Sequence, residues 1–155
     1  MKPDLEALIR VLEARAGRGA PLTRHDARPI LLCIGRSLLA RRPEELGDAA
    51  ERLRRLPEPF RLSWAAAVRD EMSMACTEHV RSVDPRFLKH PQYDLAYTLE
   101  ARRELEARSM ACALLGQPLD AASKAAVARA DALLEGRIGS SVPEWLSKHG
   151  ADAMN

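Results

Sequence analysis

One stretch of this sequence restricts the available folds more than any other, the run PFRLSWAAAVRDEMSMACTEHVRSV from Pro59 to Val83. At roughly 100° per residue, Phe60, Trp64, Ala67, Val68 and Ala75 fall on one side of a helix. Leu62, Ala65, Met72, Cys76, Val80 and Val83 fall on the opposite side, leaving a narrow polar strip of Ser63, Asp70, Ser73, Thr77 and Arg81. A helix that is apolar on two sides is a buried one, so the other segments are expected to pack around it. Pro59 suits the first turn, where its missing N–H is no loss. Asp84-Pro85 stops the run, because the residue before a proline is pushed out of helical dihedrals.

Two residues break the pattern. Glu71 and Glu78 land within the stripe of Phe60 and Trp64, where a core helix would carry leucine or alanine. A carboxylate there must be paired, hydrogen-bonded, protonated or placed at the rim of a cleft. His79 and Cys76 lie beside them. The arrangement is either a polar pocket in the bundle or an internal ion pair with arginines from a neighbouring helix.

The other segments also read as helices. Asp4 to Ala16 is amphipathic, with Leu5, Leu8, Ile9 and Leu12 inward, and Gly17, Gly19 and Pro21 close it. Thr23 to Asp26 has the spacing of a capping box, and Pro29 is expected either to kink the following helix or to start a fresh one running to Arg41. Pro43 opens a third helix to Leu56 with Leu46, Ala49, Ala50, Leu53 and Leu56 inward and a mixed-charge outer face. Phe87 and Leu88 are expected to pin a short connector to the core. A second long helix runs from Pro91 to Leu115, stopped by Gly116 and Pro118. Asp120 caps an alanine-rich helix from Ala121 to Glu135, closed by Gly136. Ser141-Val142-Pro143-Glu144 is a capping box opening a helix through His149, with Trp145 and Leu146 clamping it to the body. The tail from Gly150 is expected to fray.

The second long helix repeats the oddity of the first. Its inward stripe is Leu95, Leu99, Met110 and Ala113, and Glu106 lies in the middle of it with Arg102 and Arg103 on its flanks. The sharp expectation is that Glu71, Glu78 and His79 face Arg102, Arg103 and Glu106 across a polar cavity between the two helices. The plain one is a salt-bridge network, or surface i, i+4 pairs such as Glu104–Arg108.

Composition bounds the class. With 155 residues, 46% hydrophobic, 30% charged and only 4% aromatic, the chain reads as one globular helical domain over residues 1–155. A net charge of +2 gives no bulk electrostatic case for nucleic acid or a membrane surface. The three cysteines, Cys33, Cys76 and Cys112, are far apart in apolar segments and form neither a disulfide framework nor a zinc spacing. MKPDLEALIR has no continuous apolar run, and no segment reaches about 18 uninterrupted apolar residues, so a cytoplasmic protein is expected.

Catalytic patterns are missing. Dinuclear carboxylate chemistry needs Glu-x-x-His pairs, yet Met74 and Ser109 stand three residues past Glu71 and Glu106. Cys76-x-x-His79 has no second ligand pair for a metal, and no oxyanion hole or orienting third group for a nucleophile. A helix-turn-helix with Gly35 in its turn fails at Arg36, Arg41 and Glu44, which occupy positions that should be apolar. The sequence thus predicts an all-α, compact bundle of six to seven helices around an antiparallel central pair, with no catalytic residues, no metal and no cofactor. The expected role is binding another protein, in the form of a bacterial immunity-type toxin-neutralising protein or an adaptor. Two rivals stand beside it: a small-molecule-binding regulator or enzyme using the cavity between the long helices, and an architectural homodimer.

Overall fold

The computed structural model describes residues 4–87 and 94–150, and these form a bundle of seven α-helices without a strand among the described residues. They are α1 (Leu5–Gly17), α2 (Arg24–Leu39), α3 (Ala49–Arg54), α4 (Phe60–Val83), α5 (Leu95–Leu114), α6 (Ala121–Ile138) and α7 (Val142–His149). None of the described helices is long and apolar enough to cross a membrane.

Helix α4 has the expected limits, between Pro59 and Asp84. Its Phe60, Trp64, Ala67, Val68, Met72, Ala75 and Cys76 enter the main core with Ile9, Leu12, Ile30, Leu31, Ile34, Leu53, Leu105 and Cys112. The opposite apolar side is only partly used. Leu62 is 63% exposed and Val80 37%, so α4 is covered along one broad face and open along its back. Ser63, from the polar strip, has a structural duty: its Oγ accepts the backbone N–H of Leu22 at 3.0 Å and ties the start of α2 to α4.

Helices α4 and α5 run antiparallel, since Glu71 meets Arg108 while Ser82 meets Thr98. They are not an isolated pair, because α2 crosses both. At the α2–α5 crossing the backbones come so close that a Cβ built on Gly35 would sit 1.9 Å from the carbonyl oxygen of Ala107. Gly35 is therefore a contact point inside a helix and not the turn of a DNA-binding motif. Small residues explain the register of α5 as well. Ala107 and Ala111 are fully buried beside α2, so the inward face is Leu105, Ala107, Ala111 and Cys112, while Ala113 of the expected stripe is exposed.

Other expectations need correction. Of the two courses expected at Pro29, a fresh start is excluded, because α2 is continuous from Arg24 to Leu39. Ala27, Ile30, Leu31 and Ile34, all buried, hold the helix through the missing hydrogen bond. Asp26 Oδ2 accepts the N–H of Thr23 at 2.8 Å, the carboxylate half of the expected capping box. The third helix splits into a 3-10 turn, Pro43–Leu46, and the short α3, because Gly47 between them has φ 54°. Helix α6 runs through Gly136 and stops at Gly139, whose φ of 74° makes the left-handed terminus. Asp120 and Ser141 cap α6 and α7 as expected, accepting the N–H groups of Ser123 at 2.7 Å and Glu144 at 3.2 Å. Helix α5 opens at Leu95 behind Asp94, whose side chain takes the Tyr97 N–H at 2.8 Å. The expected start at Pro91, the docking of Phe87 and Leu88, and the tail beyond Gly150 lie outside the described residues and side chains.

A second, smaller core of Val83, Ala130, Leu134 and Val142, flanked by Leu95, Leu99 and Leu146, fixes α6 and α7 to the far end of the long pair. Leu146 serves as the expected clamp. Trp145 serves through a different contact, with the Arg103 guanidinium 5.1 Å from its ring centroid. Of the mixed-charge outer face expected for Pro43–Leu56, Glu44, Glu45, Asp48, Glu51, Arg54 and Arg55 are exposed, and Arg52 alone is drawn into the fold. Arg52 reaches Glu6 and Glu13 of α1, each at 2.5 Å, and those bonds draw both carboxyl groups below their usual range.

Candidate functional site

Of the charges at core angles, Glu71, His79, Arg102 and Arg103 are buried and Glu78 and Glu106 half-buried, and the fold divides them into three places. Glu71, 1% exposed, lies on the α4 face turned to α2 and α5. Its Oε1 accepts Arg108 Nη1 at 2.6 Å and its Oε2 lies 3.4 Å from Arg24 Nη1. Arg108 is 5% exposed, so it is no partner of Glu104 on a solvated face. Its Nε donates to the Glu104 backbone carbonyl at 3.1 Å, and its Nη2 lies 4.0 Å from the Glu104 carboxylate, which also meets Arg28 at 3.5 Å. Burial pulls the Arg108 guanidinium below its usual pKa, opposed by the charges of Glu71 and Glu104. The result is a chain of alternating charge, Arg24–Glu71–Arg108–Glu104–Arg28, locking three helices.

Glu78 lies two turns further along α4 and accepts the Tyr97 hydroxyl at 2.5 Å. Together these groups form one side of an open groove of about 700 Å³ between α4 and α5, closed at one end by α2. Met74, Arg81, Glu100 and Ala101 complete its walls. A hollow between the long helices with Glu71 and Glu78 in it therefore exists.

His79, Arg102 and Glu106 do not reach that groove. They turn to the other side of the pair, where Asp131 of α6 gathers them. His79 is wholly buried, and its Nε2 lies 2.8 Å from Asp131 Oδ1. Arg102 binds the same carboxylate through Nε at 2.9 Å and Nη2 at 3.1 Å, and Glu106 through Nη1 at 3.0 Å. With Asp131 ionised, His79 donates from Nε2, and its Nδ1 is left without a hydrogen-bond partner among the described residues. Burial raises the Asp131 carboxyl pKa, but the bonds from His79 and Arg102 outweigh it and leave it below the usual range. For Arg102, burial opposes the charged form, and Asp131 and Glu106 more than restore it. Arg103 goes to a third place, pairing with Glu100 and lying over Trp145.

Asp131 was not legible as a partner from sequence. The available signal was a single acid in the apolar run ADALL, between the buried Ala130 and Leu134. Its depressed pKa makes a testable statement. The pairing stabilises the fold fully above the unfolded carboxyl value of about 4 and is lost as pH falls through the lower folded value. Asp131→Asn should therefore be about 1–3 kcal/mol less stable than wild type at pH 7, and urea midpoints should converge as pH falls below about 4.

The remaining reactive groups are poorly placed for chemistry. Burial pushes the thiols of Cys33, Cys76 and Cys112 up, Cys112 to about 12, so none supplies a thiolate near neutrality. No group of three or more His, Cys, Asp or Glu among the described residues could hold a metal ion. Comparison with protein-family models, with curated proteins and with solved structures finds no match for this chain.

Proposed function

We propose that this chain is a protein-interaction domain that receives its partner along the α4–α5 groove, as an immunity-type toxin-neutralising protein or an adaptor would. The observation that carries this reading is the pairing of two large exposed hydrophobic side chains, Met74 at 48% and Tyr97 at 39%, in one groove rimmed by both signs of charge. Methionine and tyrosine anchors within a polar rim are the usual composition of a protein–protein contact.

The state of the polar groups favours a protein over a small ligand in this groove. Glu71, Glu78, Glu100 and Glu104 each already hold a partner from within the chain. A small polar ligand would have to break those bonds, whereas a protein surface needs only the two anchors and the rim. Arg81, which has no ion pair among the described residues, adds a cation at the Glu78 end. A homodimer has less support. The exposed large hydrophobics of the described residues are spread over α1, α4, α5 and α6, with no more than two sharing a hollow.

Affinity capture from lysate of the source cells tests the reading, with wild type beside Met74→Asp and Leu62→Asp. Both substituted positions are exposed, and Leu62 lies in a separate hollow. A stoichiometric protein partner should be weakened at least tenfold by Met74→Asp, about 1.4 kcal/mol, and kept by Leu62→Asp. A partner held equally by all three proteins, or no protein partner, would contradict it.

A further inference from the structure

A smaller cavity, about 280 Å³, lies at the opposite end of α2, between the start of α1 and the 3-10 turn before α3. Leu5, Cys33, Arg36, Ser37, Arg42 and Leu46 are among its lining residues. Four buried side-chain polar atoms among the described residues have no hydrogen-bond partner, and two of them, Arg36 Nε and Arg42 Nε, belong to this cavity. Arg42 Nε is 3.1 Å from Glu45 Oε1, near enough for the charges to attract but off the line that a hydrogen bond needs. Arg36 makes no ion pair among the described residues. The rest of each guanidinium is partly open to solvent, with the Arg42 side chain 41% exposed, but a buried Nε–H without an acceptor is costly, and native proteins rarely leave two in one place.

The acids of the same cavity are in the opposite condition. Asp4 accepts the Glu6 N–H at 3.0 Å, Glu6 holds Arg52 at 2.5 Å, Glu45 takes the Ser37 hydroxyl at 3.0 Å, and Asp48 lies 3.7 Å from Arg52. None of these acids is aligned with the Nε–H of Arg36 or Arg42. We propose that it binds a small monocarboxylate, whose oxygens would meet Arg36 and Arg42 and whose apolar end would lie against Leu5 and Leu46. Size and charge select this class. The volume is just under the roughly 300–1,000 Å³ of drug-sized pockets, so the ligand is small. Four carboxylates already line the cavity beside two arginines, so a dianion such as phosphate meets more repulsion than a single carboxylate. The Cys33 thiol, kept protonated by burial, adds no further negative charge.

The test is a nitrogen-15 NMR titration of the full chain with butyrate, in parallel with 1-butanol and inorganic phosphate. Butyrate should give saturable shifts at the Arg36, Ser37 and Leu46 amides, with a Kd on the order of 1 mM for so small a ligand. Arg36→Gln and Arg42→Gln should each weaken it at least tenfold while amide signals elsewhere stay in place. Shifts that never saturate, butanol or phosphate binding as tightly as butyrate, or unchanged affinity in both variants would each overturn the proposal. Because α2 separates this cavity from the groove, either result leaves the partner reading to its own experiment.

Discussion

Gly35→Ala is expected to be among the most damaging single substitutions in the chain, lowering stability by about 2–4 kcal/mol. In an exposed helix the same change stabilises by up to about 1 kcal/mol, because glycine gives up more backbone freedom than alanine. Here the added methyl meets backbone: Ala107 O at 1.9 Å, Ala107 C at 2.2 Å and Ala107 Cα at 2.7 Å. No rotamer change relieves a clash with a carbonyl, so α2 and α5 must separate. That separation would open the core around Leu31, Ile34 and Leu105. Gly136→Ala is the matched control. It lies within α6, is exposed, and an added Cβ finds nothing within 4 Å. Urea denaturation should place the two variants on opposite sides of wild type. Equal effects would mean that the close crossing of α2 and α5 is absent.

Replacing either member of the Glu71–Arg108 pair alone is expected to cost about 3–5 kcal/mol, because the survivor is left charged and buried. Glu71→Leu strands Arg108, with only the Glu104 carbonyl and a carboxylate at 4.0 Å to answer it. Arg108→Leu should be the milder of the two, since Arg24 stays 3.4 Å from Glu71 and has a third of its side chain in solvent with which to adjust. Thermal melting would resolve this. For a chain of this length a loss of 3 kcal/mol corresponds to a fall in Tm of roughly 6–12 °C. Variants melting within a degree or two of wild type would show that the pair is not formed.

The sequence makes the faces and stops of helices readable, and leaves their neighbours unread. The limits of α4 follow from Pro59 and Asp84-Pro85, and the caps of α6 and α7 from Asp120 and Ser141, because these signals act on backbone within a few residues. Glu71 and Arg102 could be singled out for the same local reason, as charges at apolar angles. Which groups answer them could not. Helical periodicity assigns a side chain to a face, but whether α2, α5 or α6 covers that face depends on packing across the whole chain. Thus Glu71, Glu78, His79, Arg102, Arg103 and Glu106 read as one cluster, whereas the fold sends them to three separate places. Glycine was ambiguous in a similar way. Gly47 interrupts a good amphipathic pattern and Gly136 does not, and only the positive φ at Gly47 and Gly139 decides where chain direction changes. Pro29 shows the reverse, a strong local breaker overruled by the buried residues around it.

Glu71 and Arg108 answer each other across α4 and α5, which leaves the exposed Met74 and Tyr97 as the proposed contact of the groove. A double-mutant cycle on Glu71→Leu and Arg108→Leu, followed by urea denaturation at pH 7, tests this most directly. If the two groups hold each other, the double variant should recover most of the loss, because two leucines fill the site without stranded charge, and the coupling should reach about 3 kcal/mol. Additive losses, with a coupling below about 0.5 kcal/mol, would mean that Glu71 and Arg108 are not partners, and would return both charges to the groove as unpaired groups open to a ligand.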